Sequence, residues 1–342
     1  MMTNDEKQIR ELLNQFVYMW GSGRTEGLTG IVTEDCVYDF SMFDAGIGRE
    51  EFAAKLAERT HPADYTRFEI YNYVCAANET EAQQSSIVAG LFSDEKEQKS
   101  FYFNFFMMCS LKKTEDGWKY TAMRGELGSG SDIHARLRND GVHVDRTGGD
   151  DSFIANWNNI DLTIGWYENS RPPRIVPEFD APWYAIENRI ADQTDEEEIT
   201  ELVSKYCYAL DHDILRLYDD VFSEECNAVY SGTRLYNKRT CTEMLKFERA
   251  GMLGRGHILY PEWIKVNNDQ AEGRFYRAGY LPPELCLGDA AGKNWVCARY
   301  DLRFVKEKGM WKIYRLNYLD GRLERPLPDS ITKYEFRGNQ KI

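Results

Sequence analysis

The sequence predicts an α+β protein built from two similar cone-shaped domains, each with helices packed on one face of a curved, mostly antiparallel sheet. Three observations lead to this prediction. The chain has 342 residues, enough for two domains of ordinary size. It contains an internal repeat. Within each copy of the repeat the helical patterns come first and the strand patterns follow, which is typical of α+β domains.

The repeat is visible when residue 5 is aligned with residue 195. DEKQIRELLNQFVYMW then faces DEEEITELVSKYCYAL, and TEDCVY faces SEECNAVY. Farther along, DGWKYTAMRG at 116–125 faces KGMWKIYRLN at 308–317, with a slightly larger offset. Matches that keep their order across a whole domain indicate the duplication of one ancestral domain.

Each copy is predicted to contain a capped amphipathic helix, a short second helix, a short strand, a third helix and four long strands. In the first copy the helices and the short strand are predicted at 5–20, 26–32, 36–40 and 49–59, and the long strands at 66–77, 80–92, 100–113 and 117–127. In the second copy the corresponding elements are predicted at 195–210, 215–222, 226–231 and 238–250, and at 257–267, 270–281, 294–306 and 310–320.

A segment at 129–194 matches neither copy, so the predicted domains are 1–128 and 195–342, the second of which includes the C-terminal tail. GSGSD and RTGGDD in this segment are rich in turn residues, and SRPPRIVPEFDAP is rich in proline. The segment also carries aromatic residues such as Trp166 and Trp183. We therefore expect it to pack across one or both domains rather than to act as a free linker.

The overall composition argues against several classes of partner. The formal net charge is −14, which repels phosphate backbones and anionic lipid surfaces, so we expect no nucleic-acid and no membrane partner. The N-terminus reads MMTNDEKQIRELL, without the apolar core of a signal peptide, and no apolar run is long enough to span a membrane. The eight cysteines form no C-x-x-C pair, which favours buried free thiols in a reducing cytoplasm.

Motifs for several other chemistries are missing from the sequence. It contains no H-x-x-x-H, H-E-x-x-H or clustered Cys/His pattern of the kind that binds metal ions. It also lacks a phosphate-binding loop and a G-x-S-x-G nucleophile motif. We therefore predict no metal and no cofactor. The 21 tyrosines outnumber the 17 phenylalanines, which suits a pocket that surrounds an apolar ligand and offers it hydroxyl groups.

Three stretches of the second copy carry a resemblance to a known family. They are YCYALDHDILRLYDDVFSEEC (206–226), RGHILYPEWIKVNNDQAEG (255–273) and CARYDLRFVKEKGMWKIYR (297–315). Together they resemble the SnoaL-like and scytalone-dehydratase-like branch of the nuclear transport factor 2-like superfamily, and the first copy keeps the frame with fewer of the motifs. The resemblance implies two cystatin-like cones in tandem. This family contains enzymes and non-enzymes, so the fold alone does not settle the function.

The resemblance also implies an Asp–His pair. Lyases of this branch place an Asp at the end of the first helix and a His at the start of the first long strand. Asp211 and His257 occupy these positions and are the predicted catalytic residues. A neutral imidazole can take a proton near neutral pH, while the carboxylate fixes its tautomer and stabilises the imidazolium that forms. Such a pair can carry out an elimination without a cofactor.

Both residues also have a simpler interpretation. Asp211 lies at a helix end that leads into the next helix, where an Asp is often an N-cap. A lone histidine at a strand start, such as His257, is commonly a core residue. His212, which follows Asp211 directly, is expected on the surface.

The sequence departs from the dehydratase at the position of that enzyme's second histidine, since GRFYRAG offers Phe275, Tyr276 and Arg277 there. The simpler Asp–His arrangement of the dehydrochlorinase-like members fits better. Arg277 is then a candidate to stabilise an oxyanion or a leaving group, with a solvated strand face as the alternative. The predicted substrate-binding residues, whose alternative role is core packing, are Tyr208, Tyr230, Tyr260, Trp263, Arg277 and Tyr300.

The first copy lacks the Asp–His pair in this alignment. Gly21 stands at the position of Asp211, no histidine occurs at 65–67, and His61 lies in a turn, RTHPAD. We expect its site to be degenerate and its role to be structural. Alternatively, its cone works with other side chains, of which the candidates are Tyr18, Tyr38, Tyr65 and Arg67.

Together these observations favour a cofactor-independent lyase or isomerase. Its expected substrate is a small hydrophobic and aromatic molecule, such as a phenolic lignin-derived dimer or a polyketide, that loses water, a halide or formaldehyde. The alternatives are a small-molecule-binding or scaffold protein, and an accessory subunit of an oxygenase, since small subunits of ring-hydroxylating enzymes share this fold. Domains of this type pair through their sheets, so we expect either a pseudo-dimer within the chain or a homodimer.

Overall fold

A computed structural model describes residues 4–40, 45–59, 65–94, 99–130, 177–190, 192–212, 214–230, 232–249, 257–280 and 295–322. These residues form two six-stranded sheets, one in each copy of the repeat, with helices packed against them. The α+β fold class predicted from the sequence is confirmed.

The first copy begins with a helix whose buried residues recur at helical spacing, so that one face of the helix enters the core. A 3-10 turn at Thr25–Gly27 leads into the second helix. The element bounds are α1 Asn4–Ser22, α2 Leu28–Ile31, β1 Val32–Phe40, β2 Ala45–Ile47, α3 Arg49–Arg59, β3 Tyr65–Ala77, β4 Glu81–Asp94, β5 Lys99–Thr114 and β6 Gly117–Gly130.

The second copy repeats this order after two short helices, and its first long helix starts at a capping box. In this box the backbone N–H of Thr194 donates to the Glu197 carboxylate, and the Thr194 hydroxyl accepts from the Glu197 N–H. The element bounds are α4 Pro177–Asp180, α5 Pro182–Ala185, α6 Asp195–His212, α7 Leu215–Val221, β7 Phe222–Tyr230, β8 Thr233–Tyr236, α8 Asn237–Arg249, β9 Ile258–Asn267, β10 Gln270–Tyr280, β11 Trp295–Glu307 and β12 Met310–Arg322.

The two sheets have the same topology. The strand order is β2-β1-β6-β5-β4-β3 in the first and β8-β7-β12-β11-β10-β9 in the second. All neighbours are antiparallel except β1 with β6 and β7 with β12, which are parallel. The short strands β2 and β8 are absent from the sequence prediction, because three or four residues carry too little periodicity to be recognised. β3 and β9 each form one edge of their sheet.

Each copy ties the start of its first long helix to its last hairpin. In the first copy the Asp5 carboxylate accepts hydrogen bonds from Lys113 Nζ and Trp118 Nε1, both at 2.9 Å. These contacts join residues at opposite ends of the copy and close the helix onto the sheet. The second copy makes the same contacts with Asp195, Lys306 and Trp311.

The two copies contact each other mainly through α6 and the edge strands β3 and β9. Ile258, at the start of β9, is buried with Ile87 and Ala89 of β4. The ring of Tyr208 on α6 lies 5.4 Å from that of Phe106 on β5. The end of α6 and the start of β9 therefore rest on the sheet of the first copy.

The described part of the connecting segment, 177–190, contacts both copies. Asp180 pairs with Arg124 of β6 at 2.9 Å. Trp183 Nε1 donates to the Glu201 carboxylate of α6 at 2.7 Å. The segment therefore packs across the two copies over this range, and the rest of it lies outside the described residues.

A buried ion cluster joins the first helices of the two copies. Arg189 donates to both oxygens of Glu201 on α6, at 2.6 and 2.7 Å. It also contacts Glu6 on α1 at 3.4 Å, and the Glu6 side chain is 1% exposed. Because the guanidinium is shared between two carboxylates, the cluster couples the copies electrostatically.

No helix among the described residues is long and apolar enough to cross a membrane. The cysteine side chains that the structure describes are buried free thiols. They are Cys36, Cys75, Cys109, Cys207, Cys226 and Cys241.

Candidate active site

Asp211 lies in the last turn of α6, and its side chain is 11% exposed. A carboxylate near the C-terminus of a helix is disfavoured by the helix dipole, so the position calls for a compensating partner. The following helix starts at Leu215, and its N-cap residue is Ile214. The N-cap interpretation of Asp211 is therefore wrong, because the chain leaves helical geometry before α7 begins.

His257 directly precedes β9, and its side chain packs against Asp211. The ring Nδ1 lies 2.5 Å from Asp211 Oδ1, and the His257 backbone N–H donates to Asp211 Oδ2 at 2.8 Å. One carboxylate thus holds both the ring and the backbone of the histidine. The structure brings together the two residues that the sequence predicts as a pair, and their catalytic role stays a prediction.

The contact with Asp211 determines the tautomer of a neutral His257. An ionised carboxylate only accepts hydrogen bonds, so the ring proton lies on Nδ1 and the basic lone pair is on Nε2. When Nε2 takes a second proton, the resulting imidazolium lies beside a carboxylate that stabilises it. The arrangement can therefore serve as a general base and then as a general acid.

Four tyrosines from α6, β7, β11 and β12 pack together inside the second copy. The hydroxyls of Tyr206 and Tyr230 are 2.6 Å apart, and the ring of Tyr300 lies 5.1 Å from that of Tyr318. Burial raises the pKa of Tyr206 and of Tyr230 well above the usual value, and raises the pKa of Tyr300 to about 12. These three phenols are therefore protonated at neutral pH and can donate hydrogen bonds.

Arg277 reaches the same cluster from β10. Burial opposes its charge, but Tyr300, Tyr318 and Asp211 outweigh that effect and raise the pKa of Arg277. Its Nε is buried and has no hydrogen-bond partner among the described residues, so the solvated-face interpretation is wrong. A partly buried cation whose Nε is an unused donor can bind an oxygen atom of a ligand.

Three of the predicted substrate-binding residues lie away from this cluster. Tyr208 packs against aromatic rings where the two copies meet. Tyr260 is 44% exposed, because successive side chains of a strand point to opposite faces and its neighbour faces the core. Trp263 packs against charged side chains of β9 and β10. Tyr208 nevertheless lines the same small cavity between the copies as Asp211. The structure does not group Tyr260 and Trp263 with the Asp–His pair, whereas it places Tyr230, Tyr300 and Arg277 together.

His212 is half-buried rather than fully exposed, which differs from the surface position expected from the sequence. Its ring lies 4.4 Å from that of Phe106 and 4.6 Å from that of Tyr208. It lines a small cavity between the copies together with Asn72 and Ser85. The first copy covers this end of α6. The burial of His212 could therefore not be predicted from the pattern of α6 alone.

The strand registers identify the first-copy equivalents of the tyrosine cluster. In the second sheet Tyr230 is opposite Tyr318, which is opposite Tyr300. The corresponding positions of the first sheet carry no hydroxyl. They are Phe40, Gly125 and Met107.

The acid–base residues are replaced in the same way. Arg277 and Val88 occupy equivalent positions in the two sheets. Arg277 is opposite Leu259, which lies two residues after His257, and Val88 is opposite Ile70, which lies two residues after Phe68. His257 therefore corresponds to Phe68, whose ring lies 5.5 Å from that of Trp20. Residues without a hydrogen-bonding side chain thus occupy the positions of the first copy where the second has its polar residues.

The alternative set of first-copy site residues gains little support from the structure. Tyr18 is 61% exposed. The Tyr38 hydroxyl donates to Glu51 at 2.8 Å, and its ring stacks on Phe52. The side chains of Tyr65 and Arg67, and all of His61, lie outside the described residues.

Tyr206 and Tyr318 belong to the cluster but are not among the site residues predicted from the sequence. A signal existed for Tyr206, because the repeat alignment sets it against Phe16, a difference of one hydroxyl at a core position. Tyr318 could not be found in this way, since the offset between the copies changes before the last strand. Within the ranges described above, no three or more His, Cys, Asp or Glu side chains are arranged to hold a metal ion.

Comparison with known proteins places both copies in one family. The model of the SnoaL-like domain matches residues 1–124 and 191–317. This match confirms the resemblance found in the sequence. No curated protein matched the chain.

Several solved structures are similar to part of the chain. A nuclear transport factor 2-like protein with a cystatin-like fold from Novosphingobium aromaticivorans is 20% identical, with a TM-score of 0.33, and the alignment covers 36% of this chain and 81% of that one. A protein with a cystatin-like fold from Nostoc punctiforme is 18% identical, with a TM-score of 0.33, covering 40% of this chain and 100% of that one. A Kribbella flavida protein is 15% identical, with a TM-score of 0.35, covering 38% and 95%.

Proposed function

The chain belongs to the SnoaL-like domain family, and from this premise we propose that its second copy is a cofactor-independent lyase that uses His257 as its base. The observation that carries the proposal is the 2.5 Å contact between His257 Nδ1 and Asp211 Oδ1. It supplies an oriented imidazole with a stabilised conjugate acid. The neighbouring Arg277 and the buried phenols supply the positive charge and the hydrogen-bond donors that an elimination needs.

In the proposed elimination, His257 Nε2 takes a proton from a substrate carbon. The electron pair of that C–H bond becomes the new π bond, and the leaving group on the neighbouring carbon departs with the electrons of its own bond. A halide leaves as the anion. A hydroxyl group leaves as water by taking the proton from the imidazolium as its C–O bond breaks. Asp211 orients the ring throughout, and Arg277 stabilises the negative charge that develops.

Loss of a one-carbon fragment uses the same geometry. Here Nε2 takes the proton of a primary hydroxyl group, and the adjacent C–C bond breaks to release formaldehyde. The electron pair of that bond becomes the π bond of the product as a leaving group departs from the next carbon. The products are an alkene, formaldehyde and the protonated leaving group.

The surroundings of the pair favour an aromatic or phenolic substrate. The tyrosine cluster offers ring edges and faces for stacking together with hydroxyl donors. The unused donor of Arg277 is suited to a phenolic or alkoxide oxygen. The first copy, which has no hydroxyl, imidazole or guanidinium group at the equivalent positions, is proposed to have no catalytic role of its own.

The test uses the purified full-length chain and a panel of aromatic compounds that carry a hydroxyl, halide or hydroxymethyl group next to an acidic C–H or O–H. Products are followed by mass spectrometry, and formaldehyde by colorimetry. We expect turnover by the wild type and its loss in His257→Gln. The control is Tyr236→Gln, which changes a side chain of the same copy that is 64% exposed and should keep most of the turnover.

Two outcomes decide between lyase and binding protein. Full turnover by His257→Gln rules out the proposed base. If compounds of the panel bind to the wild type, as measured by calorimetry, but none is converted, the non-catalytic binding function is favoured instead.

A further inference from the structure

Asn72, on β3 of the first copy, makes two hydrogen bonds with the backbone around His257 in the second copy. Its Nδ2 donates to the His257 carbonyl oxygen at 2.5 Å, and its Oδ1 accepts from the Leu259 N–H at 3.3 Å. Since β9 is an edge strand, these two backbone groups face outward from the sheet. The carboxamide of Asn72 takes the place that a neighbouring strand would have.

The local structure of β3 presents this side chain to β9. The pairing of β3 with β4 slips between Tyr71 and Val74, which leaves an extra residue on β3. Asn72 lies in this bulge with φ 48°, a left-handed conformation that Asn adopts more readily than most residues. Bulges commonly re-aim a side chain, and this one directs the carboxamide across the contact between the copies.

Other residues of the first copy support the same part of the second. Ile258, between the two bonded residues, is buried against Ile87. Tyr208 and His212, near the end of α6, pack on Phe106. Both elements that carry the Asp–His pair are therefore supported by the first sheet.

We propose that the first copy, which lacks the acid–base pair, is the positioning element of the second copy's site, and that Asn72 is its positioning residue. The backbone of His257 is held on both sides, its N–H by Asp211 and its C=O by Asn72. With both groups fixed, the ring keeps Nδ1 on the carboxylate and Nε2 in one direction. The catalytic consequence rests on the proposed function, but the positioning itself can be measured without turnover.

Asn72→Gly in the full-length chain is the first test, because glycine adopts the left-handed conformation without strain and only the carboxamide is lost. The matched control is Asn268→Gly. Asn268 has φ 53° in the exposed turn after β9, where its side chain bonds to the neighbouring Asn267. Asn72→Asp is a second variant that keeps the acceptor for Leu259 but places an oxygen against the His257 carbonyl.

Two measurements report on the site. We expect both Asn72 variants to lower kcat about 10- to 100-fold while KM changes little, since a misplaced catalytic group costs rate rather than affinity. Independently, long-range ¹H–¹⁵N spectra of histidine-labelled protein show the ring nitrogens of His257. The wild type and Asn268→Gly should show a protonated Nδ1 and an unprotonated Nε2, whereas the Asn72 variants should show averaged shifts.

The spectra decide the proposal. Averaged His257 shifts in both Asn72 variants, with Asn268→Gly unchanged, support it. An unchanged His257 spectrum in either Asn72 variant overturns it, whatever the turnover. If Asn72→Gly does not fold, Asn72→Asp carries the test. If the wild type converts no substrate, the lyase function fails in its own assay while the spectra still test the positioning.

Discussion

Asp211 holds His257 at two points, with Oδ1 at 2.5 Å from the ring Nδ1 and Oδ2 accepting the backbone N–H at 2.8 Å. Because both oxygens of one carboxylate are engaged, loss of this side chain releases the ring and the backbone together. The two residues come from the end of a helix and the start of a strand. The geometry of the pair therefore depends on how α6 packs beside β9.

Asp211→Asn tests this dependence. The variant keeps the size of the side chain but removes its charge, and its amide nitrogen is a donor where the pair needs an acceptor. We expect kcat to fall about 10²- to 10⁴-fold, because the tautomer is no longer fixed and the imidazolium is not stabilised. Asp269→Asn, in the exposed turn after β9, is the control and should retain turnover. Wild-type kcat in Asp211→Asn would contradict the role of this carboxylate.

The Tyr206–Tyr230 contact makes a prediction about stability. Tyr230→Phe leaves the Tyr206 hydroxyl buried without this partner, so we expect the free energy of unfolding to fall by about 1–3 kcal/mol. Adding Tyr206→Phe reproduces the pair found in the first copy, Phe16 and Phe40, and should recover part of the loss because no hydroxyl is then left unbonded. Urea denaturation of the three proteins measures both effects. If the double variant is less stable than Tyr230→Phe, the unbonded Tyr206 hydroxyl is not the cause of the lost stability.

The ion cluster around Glu201 predicts a dependence on pH. Burial alone would raise the pKa of Glu201, but the hydrogen bonds and charge of Arg189, with further hydrogen bonds from Gln193 and Trp183, lower it. A carboxyl group whose pKa is lower in the folded protein stabilises that protein above the ordinary value of 4.5 and loses the contribution as pH falls through the folded value.

Glu201→Gln mimics the protonated carboxyl group and isolates its contribution. We expect the variant to be less stable than the wild type by about 3 kcal/mol at neutral pH. The difference should shrink as pH falls from 4.5 through the lower pKa of the folded protein, because the carboxyl group becomes protonated first in the unfolded and then in the folded protein. Urea denaturation at neutral and acidic pH measures this. An equal difference at both pH values would exclude the titration of Glu201 as its source.

Gly125 makes a packing prediction for the first copy. A Cβ at this position would lie 2.5 Å from Cδ1 of the Phe40 ring. We expect Gly125→Ala to lower the free energy of unfolding by about 1–3 kcal/mol, because the ring must leave its position in a packed core. Gly30→Ala is the matched control, since a Cβ there meets nothing within 4 Å. Equal stability of the two variants in urea would contradict the tight contact over Gly125.

The sequence was sufficient to predict most of the elements, because long strands and amphipathic helices have a period. The long strands of both copies lie within a few residues of the predicted bounds. The start of β1 was misplaced, at residue 36 instead of Val32, because exposed acidic residues interrupt its apolar pattern. The contact between the copies could not be predicted, since it depends on the shapes of two folded surfaces rather than on a local pattern.

Only part of the candidate site was predicted from the sequence, again because only local patterns can be recognised there. Asp211 and His257 could be found because they stand at element ends that the family motif marks. Tyr208 could not be assigned to a face, because the period of α6 does not show which side of the helix meets the first copy. The contact of Asn72 with the His257 carbonyl could not be predicted, because it needs a bulge, a left-handed residue and a partner from the other copy.

The tie between Asp5 and Trp118, repeated by Asp195 and Trp311, also bears on synthesis at the ribosome. It joins the first helix of a copy to the last hairpin of that same copy. During synthesis the helix therefore leaves the ribosome long before the hairpin that it binds. We expect α1 to stay loosely packed until residue 118 has left the exit tunnel, and α6 until residue 311 has done so. The first copy can then be complete while the second is still being made. The folded sheet of the first copy is then available for α6 and β9 to pack against as they are synthesised.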